Sequence, residues 1–205
     1  MKDNPSYFKS GDDYPVESVS WDDCQKFVQA LNSRYPQDGL RWALPTEAQW
    51  EYACRAGTGT ALPNGKDIRI LGDNNAPALD DIAWYGGNSS VNYSGSNGYD
   101  TSGWPDKQYP GGEAGTHPVR GKNANAWGLY DMIGNVWEWC ADWYGPYPSG
   151  SVENPTGPST GSSRVNRGGS WPDDARRCRS ANRGRSVPGR SNLNLGLRVA
   201  LLPVQ

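Results

Sequence analysis

The sequence predicts an α+β fold built around a small antiparallel sheet. Helical periodicity is confined to the part before Gly57, and short stretches of strand-like alternation gather after Val136. Between them runs a long irregular segment. The 26 Gly and 16 Pro among 205 residues call for many turns and more irregular backbone than a helical bundle or a doubly wound sheet needs. At this length a single domain is expected. Ten Trp and eleven Tyr supply large buried areas per residue, enough for a real core although the overall hydrophobic content is 35%.

The elements follow in order. Ser20 is a natural N-cap before Trp21-Asp22-Asp23, and Cys24, Phe27, Val28 and Leu31 then recur on one helical face. Pro36 and Gly39 end this helix. Arg41-Trp42-Ala43-Leu44 reads as a short strand. Pro45 to Gly57 reads as a second helix, in which Thr46 and Gln49 form a capping box and Gly57 is the stop. Cys24 and Cys54 sit on apolar helix faces, as small buried hydrophobes do. Residues 58–120 show little periodicity. Trp84, Tyr85, Tyr93, Tyr99, Trp104 and Tyr109 predict a loop segment packed by aromatics. Val136 to Cys140 alternates as a half-buried strand does. Arg164 to Arg167 leads into a Gly-Gly turn, and Leu195, Leu197, Val199 and Leu201 alternate as one terminal strand.

Composition removes several classes of function. The net charge is −2, so the chain as a whole carries no nucleic-acid signature. No apolar run approaches the length of a membrane span, and the N-terminal residues contain no apolar stretch of the kind a secretory signal has. None of Cys24, Cys54, Cys140 and Cys178 belongs to a Cys-x-x-Cys pair, which argues against zinc. A single His, His117, leaves almost no material for a Ser-His-Asp triad or a His-based metal centre. Two patterns, Asn88-Ser89-Ser90 and Asn92-Tyr93-Ser94, match a glycosylation acceptor by composition only.

The most informative stretch is residues 164–199, which has two layers. One is a regular frame: Gly168-Gly169-Ser170-Trp171, then Cys178 to Arg183, then Asn194 to Arg198. Between these blocks lie residues of no consistent type: Pro172, Asp173, Asp174, Arg176, Arg177, Gly184, Arg185, Ser186, Val187, Gly189, Arg190, Ser191 and Leu193. An active site needs particular residues at particular places. A frame holding arbitrary exposed residues suggests a binding surface instead. Arg176, Arg177, Arg185 and Arg190 fall at the arbitrary positions and would favour an acidic or aromatic-bearing partner. Arg179, Arg183 and Arg198 belong to the frame and are expected to make internal hydrogen bonds.

Four blocks taken together resemble the formylglycine-generating-enzyme, or sulfatase-modifying factor, family. They are Pro15 to Trp21, Arg41 to Ala53, Gly128 to Trp139, and Arg167 to Trp171 continuing through Gly196-Leu197-Arg198. The resemblance covers nearly the whole chain and implies a C-type-lectin-like fold with two helices, small antiparallel sheets and much irregular structure. The enzymes of that family oxidise a substrate cysteine using copper held by two thiols, which lie two and seven residues after the aromatic of Gly-Gly-Ser-aromatic. Here those positions hold Asp173 and Cys178. One thiol is missing, and a lone thiolate cannot supply the two-coordinate soft site that Cu(I) favours. The resemblance also assigns Asp131, Gly134, Val136 and Glu138 to positions that hold calcium in some members. Two carboxylates with backbone carbonyls suit a hard cation, and the alternative is that they serve buried backbone donors.

Gly-Gly-Ser-Trp, then Cys-Arg-Ser-Ala-Asn-Arg, then Asn-Leu-Gly-Leu-Arg is further similar to the variable region of diversity-generating-retroelement proteins, in which template adenines are randomised. Such codons cannot become Lys, Glu, Gln, Met or Trp. Residues 172–198 contain none of these, although the chain has six Lys, six Glu, six Gln, two Met and ten Trp, so that about four would be expected in that window. The expectation is therefore a single non-catalytic domain over 1–205. It would carry a variable ligand-binding region at about 164–198, facing a macromolecular partner such as a protein or cell surface and displayed on a virion or cell. The competing expectation is a copper-dependent oxidase or an ordinary non-catalytic member of the same family.

Overall fold

The computed structural model describes residues 3–93 and 98–204. Helix α1 spans Trp21–Arg34 and α2 spans Glu47–Arg55. Both begin with a full capping box; that of α2 was read from the sequence, whereas for α1 only the N-cap Ser20 was. Ser20 Oγ accepts from Asp23 N and Thr46 Oγ1 from Gln49 N, while Asp23 and Gln49 reach back to the cap amides. Each reciprocal pair satisfies two amides that a helix start leaves without partners. At the end of α2 it is Ala56, at φ 44°, that takes the first left-handed position, and Gly57 follows at φ 92°. The expected stop therefore spreads over two residues. On α1, Cys24 and Val28 are buried, whereas Phe27 and Leu31 are only half-buried.

The described residues form eight short strands: β1 Leu40–Ala43, between the helices, then β2 Tyr99–Asp100, β3 Glu113–Ala114, β4 Trp137–Trp143, β5 Arg164–Arg167, β6 Arg183–Ser186, β7 Leu195–Leu197 and β8 Ala200–Pro203. The main sheet has the order β6-β5-β4-β7. Strands β4, β5 and β6 are antiparallel neighbours, but β7 runs parallel to β4, pairing Trp137 with Leu195 and Trp139 with Leu197. The sheet is thus mixed. The alternation at 195–201 does not make one terminal strand either. The chain leaves β7, turns at Arg198 and Val199, and pairs β8 with β1 in a separate ribbon.

Strand β4 corrects a second expectation. It is not half-buried: Trp137, Glu138, Trp139, Cys140 and Asp142 are all buried. One face meets α1 and β7 through Val19, Cys24, Leu44, Trp139 and Leu195. The other joins Trp50, Cys54, Leu62, Tyr85, Ile133, Val165 and Cys178 in the largest core cluster through Cys140. Period-2 alternation of Trp and Glu looks amphipathic in sequence, but Glu138 is here a buried ion-pair partner. Burying one indole such as that of Trp139, at 0% exposure, stabilises by an amount on the order of 5 kcal/mol.

The irregular middle is held partly by aromatics. Tyr85 is fully buried, with its hydroxyl accepting from Ala76 N (2.9 Å) and donating to Gln108 (2.7 Å). Trp84 stacks on His117 at 3.7 Å, and Lys122 covers its other face at 3.8 Å. Tyr93 and Trp104 are half-buried in a cluster with Phe8 and Trp171, while Tyr99 and Tyr109 remain about half exposed. No described helix is long and apolar enough to cross a membrane.

Candidate functional site

The frame of residues 164–198 is anchored from below. Arg167 is fully buried. It pairs with Glu51, lies 3.6 Å from Glu47, and donates to the carbonyls of Ser180 and Asn182. One guanidinium therefore ties β5, α2 and the 180–182 turn together. Gly168 and Gly169 both adopt positive φ, and a Cβ on Gly169 would stand 2.9 Å from the Cys178 sulfur. Only glycine serves there. Trp171 is buried at 1% exposure, its amide bonds Asn135 O, and its indole donates to Leu193 O. Ser170 donates to Asp173 and accepts from Asn194 Nδ2 at 2.9 Å, so the two ends of the window meet at one hydroxyl.

The thirteen irregular positions fall into two arms. The first, Pro172 to Arg177, lies against the 73–86 loop: Gly86 N bonds Asp173 O and Ala175 N bonds Asp73 O. Asp174 caps a single 3-10 turn at Ala175–Arg177. The second arm runs from Gly184 on β6 to Leu193 and reaches α1, where Trp21 N bonds Pro188 O. The Trp137 ring lies between them, beside Asp173 and against Gly184. Arg176, Arg177, Arg185, Val187, Gly189, Arg190 and Ser191 are exposed. Pro172, Asp173, Asp174, Gly184, Ser186 and Leu193 are half-buried, and none of the thirteen is buried.

Three of these residues depart from free interchangeability. A Cβ on Gly184 would overlap the side-chain oxygen of Asn166. Leu193 packs against the Phe8 and Trp171 cluster. Asp173 has a side chain only 12% exposed and bonded to Ser170, and burial pushes its carboxyl above the usual range. The frame arginines are all engaged. Arg179 donates to Arg176 O, Arg183 grips Glu47 with two bonds of 2.6 Å, and Arg198 grips Glu138. Asn182 takes part in the frame through its backbone, since it is its carbonyl that receives Arg167.

Asp173, where the family resemblance implies a thiol in the enzymes, is a carboxyl tied to Ser170, and Cys178 is 0% exposed. Burial, reinforced by the charges of Asp173 and Asp174, pushes this thiol well above its ordinary value. A protonated, enclosed sulfur is neither a good nucleophile nor a soft-metal ligand. All four cysteines are free and buried.

The candidate calcium residues surround a cavity of about 420 Å³. Within it, Glu138 already accepts from Trp50 Nε1 (2.6 Å) and from Arg198 at Nε and Nη2, and Asp131 accepts from Arg120 N at 2.7 Å. Arg198 Nη2 also donates to the carbonyls of Tyr130 and Asp131. Gly134, at φ 78°, is pressed against the Trp84 backbone. Arg198 thereby supplies the positive charge that a cation would bring, and the donor set does not fit a calcium shell while that guanidinium is in place. Among the described residues no group of three or more His, Cys, Asp or Glu side chains could hold a metal.

Asn88 of the first glycosylation pattern is buried and donates to Asp80 and Ala83 O, while Ser94 of the second lies outside the described residues. Sequence reasoning missed a cavity of about 1010 Å³ between α2 and residues 145–158. Its only sequence signal was the Gly145-Pro146-Tyr147-Pro148 run, which no motif reading covers.

Mixed sheet, double-glycine turn and internally bonded C-terminal frame together define a C-type-lectin-like domain of the formylglycine-generating-enzyme kind. The chain belongs to the sulfatase-modifying factor enzyme 1-like family, whose profile matches residues 1–202. It is 35% identical over 194 residues to a formylglycine-generating enzyme of Mus musculus, covering 91% of this chain and 44% of that protein. A Streptomyces coelicolor formylglycine-generating enzyme is 34% identical over 193 residues, covering 91% and 52%. The chain spans about half the length of these relatives. Among solved structures, Treponema denticola variable protein 1 matches with a TM-score of 0.73 and 28% identity, covering all of this chain and 79% of that one.

Proposed function

We propose that this domain is a non-catalytic binding module whose diversified face lies within residues 172–193. The observation that carries this reading is the alternation of environments along one window. Trp171, Ala175, Cys178 and Ser180 are buried, while Arg176, Arg177, Arg185, Val187, Gly189, Arg190 and Ser191 between and beyond them are exposed. Such a layout separates tasks: the buried residues hold the backbone and the exposed ones meet a partner. Dispersed positions on an open face suit a macromolecular surface, a protein or a cell-surface component, better than a small molecule in a pocket. The likeness to a variable protein supports the reading, and so does Asp173, which stands where the family resemblance implies a thiol in the enzymes.

The test is a quadruple variant, Arg176→Ser, Arg177→Ser, Arg185→Ser and Arg190→Ser. Each exposed change should alter stability by no more than about 0.5 kcal/mol, while capture of the partner selected by the parent is lost. Trp171→Ala should cost about 3–5 kcal/mol. Gly184→Ala should also destabilise, because its Cβ meets Asn166. A cysteine-peptide oxidation that depends on copper and is lost in Cys178→Ser would replace this reading by the enzymatic one.

A further inference from the structure

The cavity of about 1010 Å³ is distinct from the face described above, although Arg183 of β6 forms part of its wall. It is large enough for several residues of an extended chain, since drug-sized sites run to about 1,000 Å³. Its walls are mostly apolar and rigid: Pro146, Pro148, Pro155 and Pro158, with the rings of Tyr52 and Tyr147 at 69% and 61% exposure. Arg183 already covers one face of Tyr147 at 4.0 Å and Trp127 meets Tyr52 edge-on at 4.9 Å, and the exposed remainder of each ring is contact area open to a partner.

The charge balance decides what fits. The one arginine lining the cavity, Arg183, and the arginines behind its carboxyls are already matched. Arg183 holds Glu47 with two bonds, Arg167 pairs with Glu47 and Glu51, and Arg55 holds Glu51 at 2.8 Å. Arg164, a further cation whose charge reaches Asp142, makes no ion pair with it. It donates to Ala141 O and lies between the rings of Trp21 and Trp143. Two lining carboxyls, Asp142 and Glu153, have no ion-pair partner among the described residues. Glu153 is on the exposed rim. Asp142 is 4% exposed, and its Oδ2 accepts from the first amide of α2, Glu47 N, at 2.7 Å. Arg183, the cation that acts on Asp142 from the wall, is bonded to Glu47, and a buried carboxylate without an ion-pair partner of its own is costly unless a further cation joins it.

We propose that this cavity binds an arginine side chain of an extended peptide segment of another protein. The guanidinium would meet Asp142 and Glu153, with its planar face and stem against Tyr147, Tyr52 and the prolines. Arginine is favoured over lysine because a planar, weakly hydrated cation both stacks on tyrosine and forks onto carboxylates. The site works without the exposed arginines of the 172–193 face, so the two assignments stand or fall separately.

The test uses the whole chain and the peptide acetyl-Gly-Arg-Gly-amide, with citrulline and lysine counterparts, followed by amide chemical shifts and calorimetry. The arginine peptide should bind saturably and shift residues 145–158 and Tyr52. Citrulline, isosteric but neutral, should bind about tenfold more weakly or worse. Asp142→Asn keeps the acceptor oxygen for Glu47 N while removing the charge. It should melt no lower than the parent and lose the arginine preference. Equal binding of citrulline, undiminished binding to Asp142→Asn, or no shifts at millimolar peptide each overturns the proposal. Concentration-dependent dimers in sedimentation of the protein alone, abolished by Asp142→Asn, would also overturn it by assigning the cavity to arginines of a second copy.

Discussion

Arg198 closes onto Glu138 across 60 residues of sequence, with Nε 2.9 Å from Oε2 and Nη2 2.7 Å from Oε1. The pair joins the link between β7 and β8 to the start of the central strand. Glu138 is 5% exposed, so removing its partner leaves a buried charge held only by Trp50. Arg198→Met should cost about 3–5 kcal/mol, and adding Glu138→Gln should recover part of that loss. Denaturant titration of the three proteins checks this. Calcium or its chelator should move the melting temperature of the parent by less than about 1 °C, since the guanidinium occupies the acceptors a cation needs. A calcium-dependent rise of several degrees would show that Arg198 yields its place.

The thiols should be silent in the folded protein. Burial raises Cys24 to about 12 and Cys54 to about 11, and it lifts Cys140 and Cys178 well above the ordinary thiol range. At pH 8 a thiol reagent should therefore modify almost none of the four until denaturant is added, and then all of them. Rapid native labelling of Cys178 would contradict its enclosure.

Truncation after Ser191 should abolish cooperative unfolding. It removes β7 from the main sheet, β8 from its ribbon with β1, and Arg198 from Glu138 at once. A preserved sharp thermal transition would mean that the core is closed by elements other than these.

His117 should make the fold acid-sensitive. Its ring is stacked on Trp84 with Nε2 buried and unbonded, and burial lowers it from 6.5 to about 4. Above pH 6.5 both folded and unfolded chains hold it neutral. As pH falls from 6.5 towards 4 the unfolded chain takes up the proton first, so stability drops by an amount on the order of 2 kcal/mol. His117→Phe keeps a ring for the stack and should flatten the pH dependence of urea midpoints in that window. Asp142 acts in the opposite sense. Burial raises it from 3.8 to about 6, so its contribution is full below pH 3.8 and lost as pH rises through 6. The Asp142→Asn protein should therefore gain on the parent between pH 4 and 6.5.

Both helices were legible because their signals are local. Ser20 with Asp23 and Thr46 with Gln49 bond within one turn, so neighbours in sequence are sufficient to specify them. Buried thiols on apolar faces, the Gly168-Gly169 turn and the engagement of Arg179, Arg183 and Arg198 were likewise implied by residue type and spacing. The family could be read because its four blocks survive in order. Long-range partnership was not legible. That β4 is buried on both faces, that β7 runs parallel to it, that Glu138 meets Arg198, and that Gly184 is wedged against Asn166 each depends on segments 18 to 120 residues apart in the chain. Which carboxyls of α2 and β4 are matched by arginines, and which is left facing an open cavity, depends on the same distant pairings. Chain sequence determines which backbone conformations are cheap and which side chains seek burial. Only the packed structure decides which distant group arrives to satisfy each of them, because that choice is made by volume and charge in three dimensions.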